Sequence, residues 1–165
     1  FTGAMDYWPN VDAVKWFAAN VLPRVLEAVP QARFYIVGAR PSPEVQALAG
    51  DAIVVTGTVP DVRPYLAHCK AAVAPLRIAR GIQNKVLEAM AMAKPVVASP
   101  QAFEGIEAVE DRELLVADAP DDYADSVVKL LRTPHPAMGR AARASVERRY
   151  SWPAHLSTIE TRFEC

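Results

Sequence analysis

Short apolar segments rich in β-branched residues alternate along this chain with segments of helical periodicity. Four of the apolar segments end in or beside Gly, Pro or Ser, as buried parallel strands do. They cover residues 32–39, 51–57, 70–76 and 94–99. A fifth covers residues 113–118, and the opening residues FTG are typical of the end of another strand. Because strands that alternate with helices form βαβ units, the pattern predicts an α/β fold, a doubly wound Rossmann-like parallel sheet of about six strands with helices on both faces.

The segments between the strands carry helix signals. Asn10 is expected to cap a helix that begins near Val11, and Pro23 is expected to kink or split it. The other helices are expected at residues 43–50, 61–69, 84–93, 120–132, 136–150 and 151–163. A length of 165 residues fits one domain. We interpret residues 1–165 as a single domain and, because the chain opens on the end of a strand, as a fragment of a longer protein.

Composition excludes several classes of function. A net charge of −1 argues against nucleic acid as a partner, because duplex binding requires a strongly basic face. No apolar run reaches the roughly 18–20 residues that cross a bilayer, and no signal peptide opens the chain. We therefore expect a cytoplasmic location. The 2 cysteines are too few for a disulfide framework, and no metal-binding or hydrolase motif is present, so no metal site is expected.

Ligands of doubly wound sheets bind beyond the carboxyl ends of the strands, and the loop after the strand at 70–76 concentrates charge there. Arg77, Arg80 and Lys85 surround the start of a helix expected at Asn84. Free N–H groups at a helix start attract anions, and Gly81 lets the backbone approach a ligand closely. These residues predict a phosphate site. The alternative is that Lys85 and Glu88 form an ordinary surface ion pair.

Two other loops are candidates. Gly57 and Val59 follow a buried strand in the sequence GTVPD, which can hold a planar base through backbone hydrogen bonds and apolar contact, or can be a simple turn. Glu88, one helical turn after Lys85, is suited to accept hydrogen bonds from the two hydroxyls of a ribose. The loop at 99–105 can line a sugar pocket or be an ordinary connection.

The chain resembles the C-terminal, donor-binding domain of the family-4 retaining glycosyltransferases with the GT-B fold. The segments that carry the resemblance are FTGAMDYWPNVDAVKWF, ARFYIVGARP, VVTGTVPDVRPYLAHCKAAVAPL, GIQNKVLEAMAMAKPVVAS and RRYSWPAHL. Within the family the chain is similar to bacterial sugar transferases of exopolysaccharide clusters, including those linked to the PEP-CTERM/exosortase system. The resemblance implies a bacterial glycosyltransferase of hexosyltransferase type that uses a nucleotide-diphosphate sugar.

The resemblance implies roles for individual residues. Glu88 matches the second glutamate of the family's E-x7-E motif and is expected to bind the donor ribose. Backbone N–H groups around Ile82, Gln83 and Asn84, with Lys85, are expected to hold the diphosphate. From their charge rather than from the resemblance, Arg80 and Lys85 are expected to stabilise the diphosphate as it leaves. The remaining donor-site positions are Gly3 at the phosphate, Gly57 and Val59 at the nucleobase, and Arg77 and Gly81 in the loop that follows the strand at 70–76.

Three departures from the family pattern matter. Arg80 stands where the first glutamate of E-x7-E is expected, and no Arg/Lys pair follows Gly3. We hypothesise that Arg77 and Arg80 replace that pair on the diphosphate. Ala93 stands where the family often has Gly, so a left-handed backbone there costs about 1 kcal/mol.

The expected activity is transfer of a sugar to an acceptor hydroxyl with retention of anomeric configuration, for polysaccharide or glycoconjugate synthesis. No cofactor is expected and no metal is required, since cations and helix N–H groups meet the charge of the leaving diphosphate. The resemblance implies an N-terminal acceptor domain that residues 1–165 lack, so this fragment alone is expected to be inactive. The full-length protein is expected to associate peripherally with the inner face of the membrane. The alternatives are half of a nucleotide-sugar 2-epimerase and a non-catalytic Rossmann-like interaction module.

Overall fold

The computed structural model describes residues 1–151, and the helix predicted over 151–163 lies outside this range apart from its first residue. The strands are short and follow one another with helices between them. They are β1 (Phe34–Ile36), β2 (Ile53–Val55), β3 (Ala72–Ala74), β4 (Val96–Ala98) and β5 (Leu115–Val116). The helices are α1 (Trp8–Asn20), α2 (Leu22–Ala28), α3 (Pro43–Gln46), α4 (Arg63–His68), α5 (Asn84–Ala91), α6 (Pro100–Phe103), α7 (Pro120–Arg132) and α8 (Pro136–Arg149).

All strand pairs are parallel, which confirms the predicted fold class. β1 pairs with β2, and β4 lies between β3 and β5. The opening residues run beside β1 on its other edge, where the Val37 N–H donates to the Phe1 carbonyl (2.9 Å) and the Gly3 N–H to the Val37 carbonyl (3.0 Å). The expected sixth strand is reduced to one bridge between Thr2 and Val37, so the described residues form five strands rather than about six.

Two helix boundaries differ from the sequence prediction. α1 begins at Trp8 with Tyr7 as its N-cap, because Pro9 suits the first turn of a helix and its missing N–H costs nothing there. Asn10 is therefore not the cap. It lies in the first turn, and its side chain is used in a tertiary contact. The predicted break at Pro23 is confirmed, since α1 ends at Asn20 and α2 starts at Leu22.

The described strands form a two-stranded and a three-stranded sheet rather than one continuous sheet, and the core lies between these strands and the helices. α7 packs against β4 and α2, while α5 packs against β3, β4 and α8. Tyr123 of α7 is fully buried at the centre, and its hydroxyl donates to the Val97 carbonyl (2.6 Å) and accepts from the Ala74 N–H (3.2 Å). This phenol links α7 to two neighbouring strands. Within residues 1–151, no helix is long and apolar enough to cross a membrane.

The end of α5 carries backbone strain. Ala93 has φ 55°, which confirms the left-handed backbone considered for this position. A Cβ on Gly139 of α8 would come 2.1 Å from the Ala93 carbonyl oxygen. The two helices therefore approach each other closely enough that glycine is required in α8.

Replacing Tyr123 by Phe tests the buried phenol. The variant removes both hydrogen bonds of the buried hydroxyl, and we expect the free energy of unfolding to fall by about 1–3 kcal/mol. Urea unfolding measures it, and Tyr35→Phe is the control because Tyr35 is 45% exposed. Equal stability of Tyr123→Phe and the parent chain would show that the two hydrogen bonds contribute nothing net.

Replacing Ala93 by Gly tests the strain. Glycine adopts positive φ without a steric penalty, so we expect the variant to raise the free energy of unfolding by about 1 kcal/mol. Ala141→Gly, within the helical turns of α8, is the matched control and should lower it by about 0.5–1 kcal/mol. A loss of stability in Ala93→Gly would contradict the strained backbone.

Candidate functional site

A cleft of about 590 Å³ opens at the carboxyl ends of the strands. Its walls come from the opening residues, from the loops after β1 and β2, and from the start of α5. The lining residues are Thr2, Gly3, Ala4, Gly38, Ala39, Arg40, Thr58, Val59, Val62, Ile82, Gln83, Asn84, Lys85 and Glu88. Ligand sites of doubly wound sheets lie at this edge, and the volume suits a nucleotide-sized ligand.

Two glycines let backbone segments meet at the base of the cleft. Gly38 has φ 153°, and a Cβ on it would lie 1.7 Å from the Gly3 carbonyl oxygen. Gly3 has φ 149°, and a Cβ there would lie 2.7 Å from Nδ2 of Asn10. A side chain at Gly38 would force the two backbone segments apart, and one at Gly3 would displace the Asn10 side chain. The cleft therefore has a base of bare backbone that a ligand can approach closely.

Lys85 places a cation beside this base. Its Nζ donates to Oδ1 of Asn10 (2.6 Å) and lies 4.8 Å from the centroid of the Phe1 ring. Burial lowers the pKa of Lys85 to about 8, although the charge of Glu88 acts in the opposite direction. The side chain is therefore still mostly protonated near neutral pH, with little water to screen it.

The start of α5 adds backbone donors beside Lys85. The helix begins at Asn84 with Gln83 as N-cap, and no side chain caps it. The Gln83 side chain instead donates to the Gly81 carbonyl (3.0 Å). The first N–H groups of an uncapped helix are free to donate to an anion. Together with the Lys85 ammonium they form a site suited to phosphate.

The structure brings together most of the predicted site residues. The cleft is lined by Gly3, Val59, Ile82, Gln83, Asn84, Lys85 and Glu88. Gly57, with φ 68°, lies immediately before the lining residue Thr58. Gly81 and Arg80 lie next to Ile82 but outside the lining, and the Arg80 side chain is exposed.

Arg77 is placed differently from the predicted phosphate ligands. Its guanidinium forms a fork with the Asp12 carboxylate, including an Nε–Oδ2 hydrogen bond of 3.0 Å, and it does not line the cleft. Asp12 is 8% exposed, so the charge of Arg77 is met by a carboxylate held in the protein. The proposed replacement of the family's Arg/Lys pair by Arg77 and Arg80 stays a prediction, and Lys85 has the better position.

Asn10 and Arg40 contribute to the site, although neither was among the predicted site residues. Asn10 reaches the cleft base, although its expected role was a helix cap. Arg40 lines the cleft after β1 and pairs with Asp6, where Nε and Oδ2 lie 2.5 Å apart and the guanidinium lowers the pKa of the carboxyl. The sequence GARP at the end of a strand was the available signal for Arg40. Within the described range 1–151, no three His, Cys, Asp or Glu side chains group as metal ligands do.

A doubly wound parallel domain with a cleft at the strand ends has the architecture in which many α/β proteins bind their ligands. The family model described as "Glycosyl transferases group 1" matches residues 1–133. The chain therefore belongs to this glycosyltransferase family. No curated protein sequence matches it significantly.

Solved structures share its GT-B-type fold. TarM of S. aureus, in complex with fondaparinux, alpha-GlcNAc-glycerol and UDP, is 19% identical with a TM-score of 0.78, and the match covers 99% of this chain and 34% of that one. Sucrose-phosphate synthase of Thermosynechococcus elongatus is 18% identical with a TM-score of 0.68, covering 88% of this chain and 42% of the other. HepE of Anabaena, in complex with UDP and glucose, is 12% identical with a TM-score of 0.67, and the match covers 100% of this chain and 54% of that one. The chain thus spans between about a third and about half of the length of these structures.

The lowered pKa of Lys85 predicts how stability changes in alkaline solution. Unfolding restores the ordinary value of 10.5, so between about pH 8 and that value the unfolded chain binds the extra proton. Stability contributed by Lys85 therefore rises with pH across this window. We expect the unfolding free energy of the parent chain to increase relative to Lys85→Met as the pH is raised, measured by urea unfolding. Lys70→Met, at an exposed lysine, should track the parent throughout, and parallel curves for Lys85→Met would contradict the shifted pKa.

Proposed function

We propose that this domain binds the nucleotide-diphosphate sugar donor of a glycosyltransferase. The observation that carries the proposal is that Lys85, a residue of the uncapped first turn of α5, lines one cleft with the bare backbone at Gly3. An ammonium, free helix N–H groups and a close backbone approach are the features that bind a diphosphate. Membership of the glycosyltransferase family, and the UDP in the TarM and HepE structures, support the same ligand class.

We propose that the rest of the donor extends from the diphosphate in two directions along the cleft. Glu88 lies on the Lys85 side of the cleft and is proposed to accept hydrogen bonds from the ribose hydroxyls. Thr58 and Val59, after β2, are proposed to contact the base through backbone groups and apolar surface. Arg80 is exposed beside the lining, from where we propose that it adds a second cation at the rim.

The proposed reaction is transfer of the sugar to an acceptor hydroxyl with retained anomeric configuration. The barrier lies largely in the charge that builds on the departing diphosphate. A cation and N–H dipoles fixed in place before the reaction stabilise that charge, so we propose that transfer requires no metal. The acceptor is proposed to bind in a second domain outside residues 1–165, and this domain alone is proposed to bind donor without catalysing transfer.

The setting of the full protein is also a proposal. The resemblance to hexosyltransferases of bacterial exopolysaccharide clusters supports a role in polysaccharide or glycoconjugate synthesis. We propose that the protein acts in the cytoplasm, with peripheral association at the inner face of the membrane.

Calorimetric titration tests the donor site. Residues 1–165 should bind at least one of UDP, GDP and ADP saturably, and more tightly than the matching nucleoside. Lys85→Met should weaken diphosphate binding by roughly tenfold or more, because a charge-assisted contact contributes about 1.5–3 kcal/mol, and should leave nucleoside binding unchanged. Arg80→Ala should weaken it by a smaller factor.

Lys70→Met is the control. Lys70 does not line the cleft, and its Nζ donates to the Leu131 carbonyl. Equal losses for diphosphate and nucleoside in Lys85→Met would contradict the assignment of Lys85 to the diphosphate. No saturable binding of any of the three diphosphates would contradict the donor domain and favour the interaction module.

A further inference from the structure

We propose that Asn10 is a positioning residue of the donor site, which holds the Lys85 ammonium and the Gly3–Ala4 backbone in one fixed arrangement. The inference rests on the proposed function, and it assigns a role to a side chain on a different element from the phosphate loop. Asn10 is 4% exposed, so its amide is used within the protein rather than by solvent.

Both ends of the Asn10 amide are occupied. Its Nδ2 donates to the Ala4 carbonyl (2.9 Å), and its Oδ1 accepts from the Lys85 Nζ (2.6 Å). Gly3 packs directly against this pair, because a Cβ there would meet Nδ2 of Asn10 at 2.7 Å and Cε of Lys85 at 3.5 Å. One side chain therefore fixes the separation between the cation and the backbone at the base of the cleft.

Because the Asn10 side chain is a neutral amide, it leaves the positive charge of Lys85 available to a ligand. Two residues of α1, Asn10 and Asp12, each hold one cation from the segment that includes Arg77 and Lys85. Asp12 holds Arg77 with a carboxylate and neutralises it, whereas Asn10 holds Lys85 with an amide and leaves its charge available. A carboxylate at position 10 could not donate to the Ala4 carbonyl and would cancel the lysine charge.

Fixing the lysine stem also lowers the cost of binding. A lysine side chain has many rotamers and loses conformational entropy when it is ordered. In this domain that ordering is complete before a ligand arrives, because Asn10 and the Phe1 ring already hold the ammonium. Contacts to the diphosphate can then contribute fully to affinity.

The charged groups around Lys85 come from several elements. Glu88 faces it from α5. Arg40, paired with Asp6, lines the same cleft after β1. Asn10 is the neutral contact among these groups, so its substitution changes the electrostatics of Lys85 in a defined direction.

A double-mutant cycle tests the positioning role through binding of UDP, or whichever of the three diphosphates binds most tightly, and of its nucleoside. Asn10→Ala should weaken diphosphate binding by roughly three- to tenfold and leave nucleoside binding unchanged. The double variant Asn10→Ala/Lys85→Met should bind more tightly than the product of the two single losses predicts, because the part of the Asn10 effect that acts through Lys85 is already lost. Asn20→Ala is the matched control, because Asn20 lies in the same helix and its Nδ2 donates to the Trp16 carbonyl at an exposed position.

Additive losses in the cycle, or full diphosphate affinity in Asn10→Ala, would overturn the inference while leaving the donor site intact. Absence of diphosphate binding by the parent chain would instead overturn the proposed function, and with it the role of Asn10 in a donor site. Thermal unfolding of each variant separates a binding defect from a folding defect.

A second measurement tests the contact between Asn10 and Lys85 through the pKa of Lys85, in the absence of any ligand. NMR of the Lys85 ε-carbon should report a pKa of about 8 in the parent chain, and Asn10→Asp should raise it clearly, because a carboxylate stabilises the charged form. The same variant should bind the diphosphate more weakly at neutral pH despite the more protonated lysine. An unchanged pKa in Asn10→Asp would overturn the contact between the two side chains.

Discussion

A largely buried lysine ammonium needs polar and aromatic partners, and the cleft is arranged around those that Lys85 has. Its Nζ contacts the Asn10 amide and the face of the Phe1 ring. To reach them, the opening residues must run beside β1, α1 must start early enough to place Asn10 inward, and α5 must begin directly after the loop from β3. Each of these conditions belongs to a different element, so the single contact reports on the assembly of the whole cleft.

The architecture was predictable because its signals are local. Runs of β-branched residues and helical periodicity predicted the parallel α/β class. Acidic residues followed by an amphipathic pattern predicted α7 with its observed limits, Pro120–Arg132. Proximity in the cleft was also predictable for Gly3, Val59 and Glu88, since strand ends meet at one edge of a parallel sheet. The left-handed backbone at Ala93 was considered because the resembled family often has Gly at this helix end.

The charge pairing was not predictable, because the partners are far apart in sequence. Arg77 meets Asp12 across 65 residues, and Lys85 meets Asn10 across 75. From spacing alone the cations near α5 are equivalent candidates, whereas the fold neutralises one, exposes another and buries the third. Asn10 was assigned to a helix cap for the same reason, since a polar residue before an apolar pattern has a local explanation that hides a tertiary one.

The far end of α5 explains why its start can serve as a fixed binding surface. Beyond this helix, the Ala93 backbone lies against Gly139 of α8 with no room for a methyl group, and the helix also packs on β3 and β4. A helix held in this way along its length cannot shift its first turn without disturbing the core. The strained conformation at Ala93 lowers the stability of the domain slightly. This cost is compatible with a domain whose function depends on the fixed position of the N–H groups near Asn84. Adaptation to a bound ligand must come instead from exposed side chains at the rim, such as Arg40 and Arg80, which do not support the core.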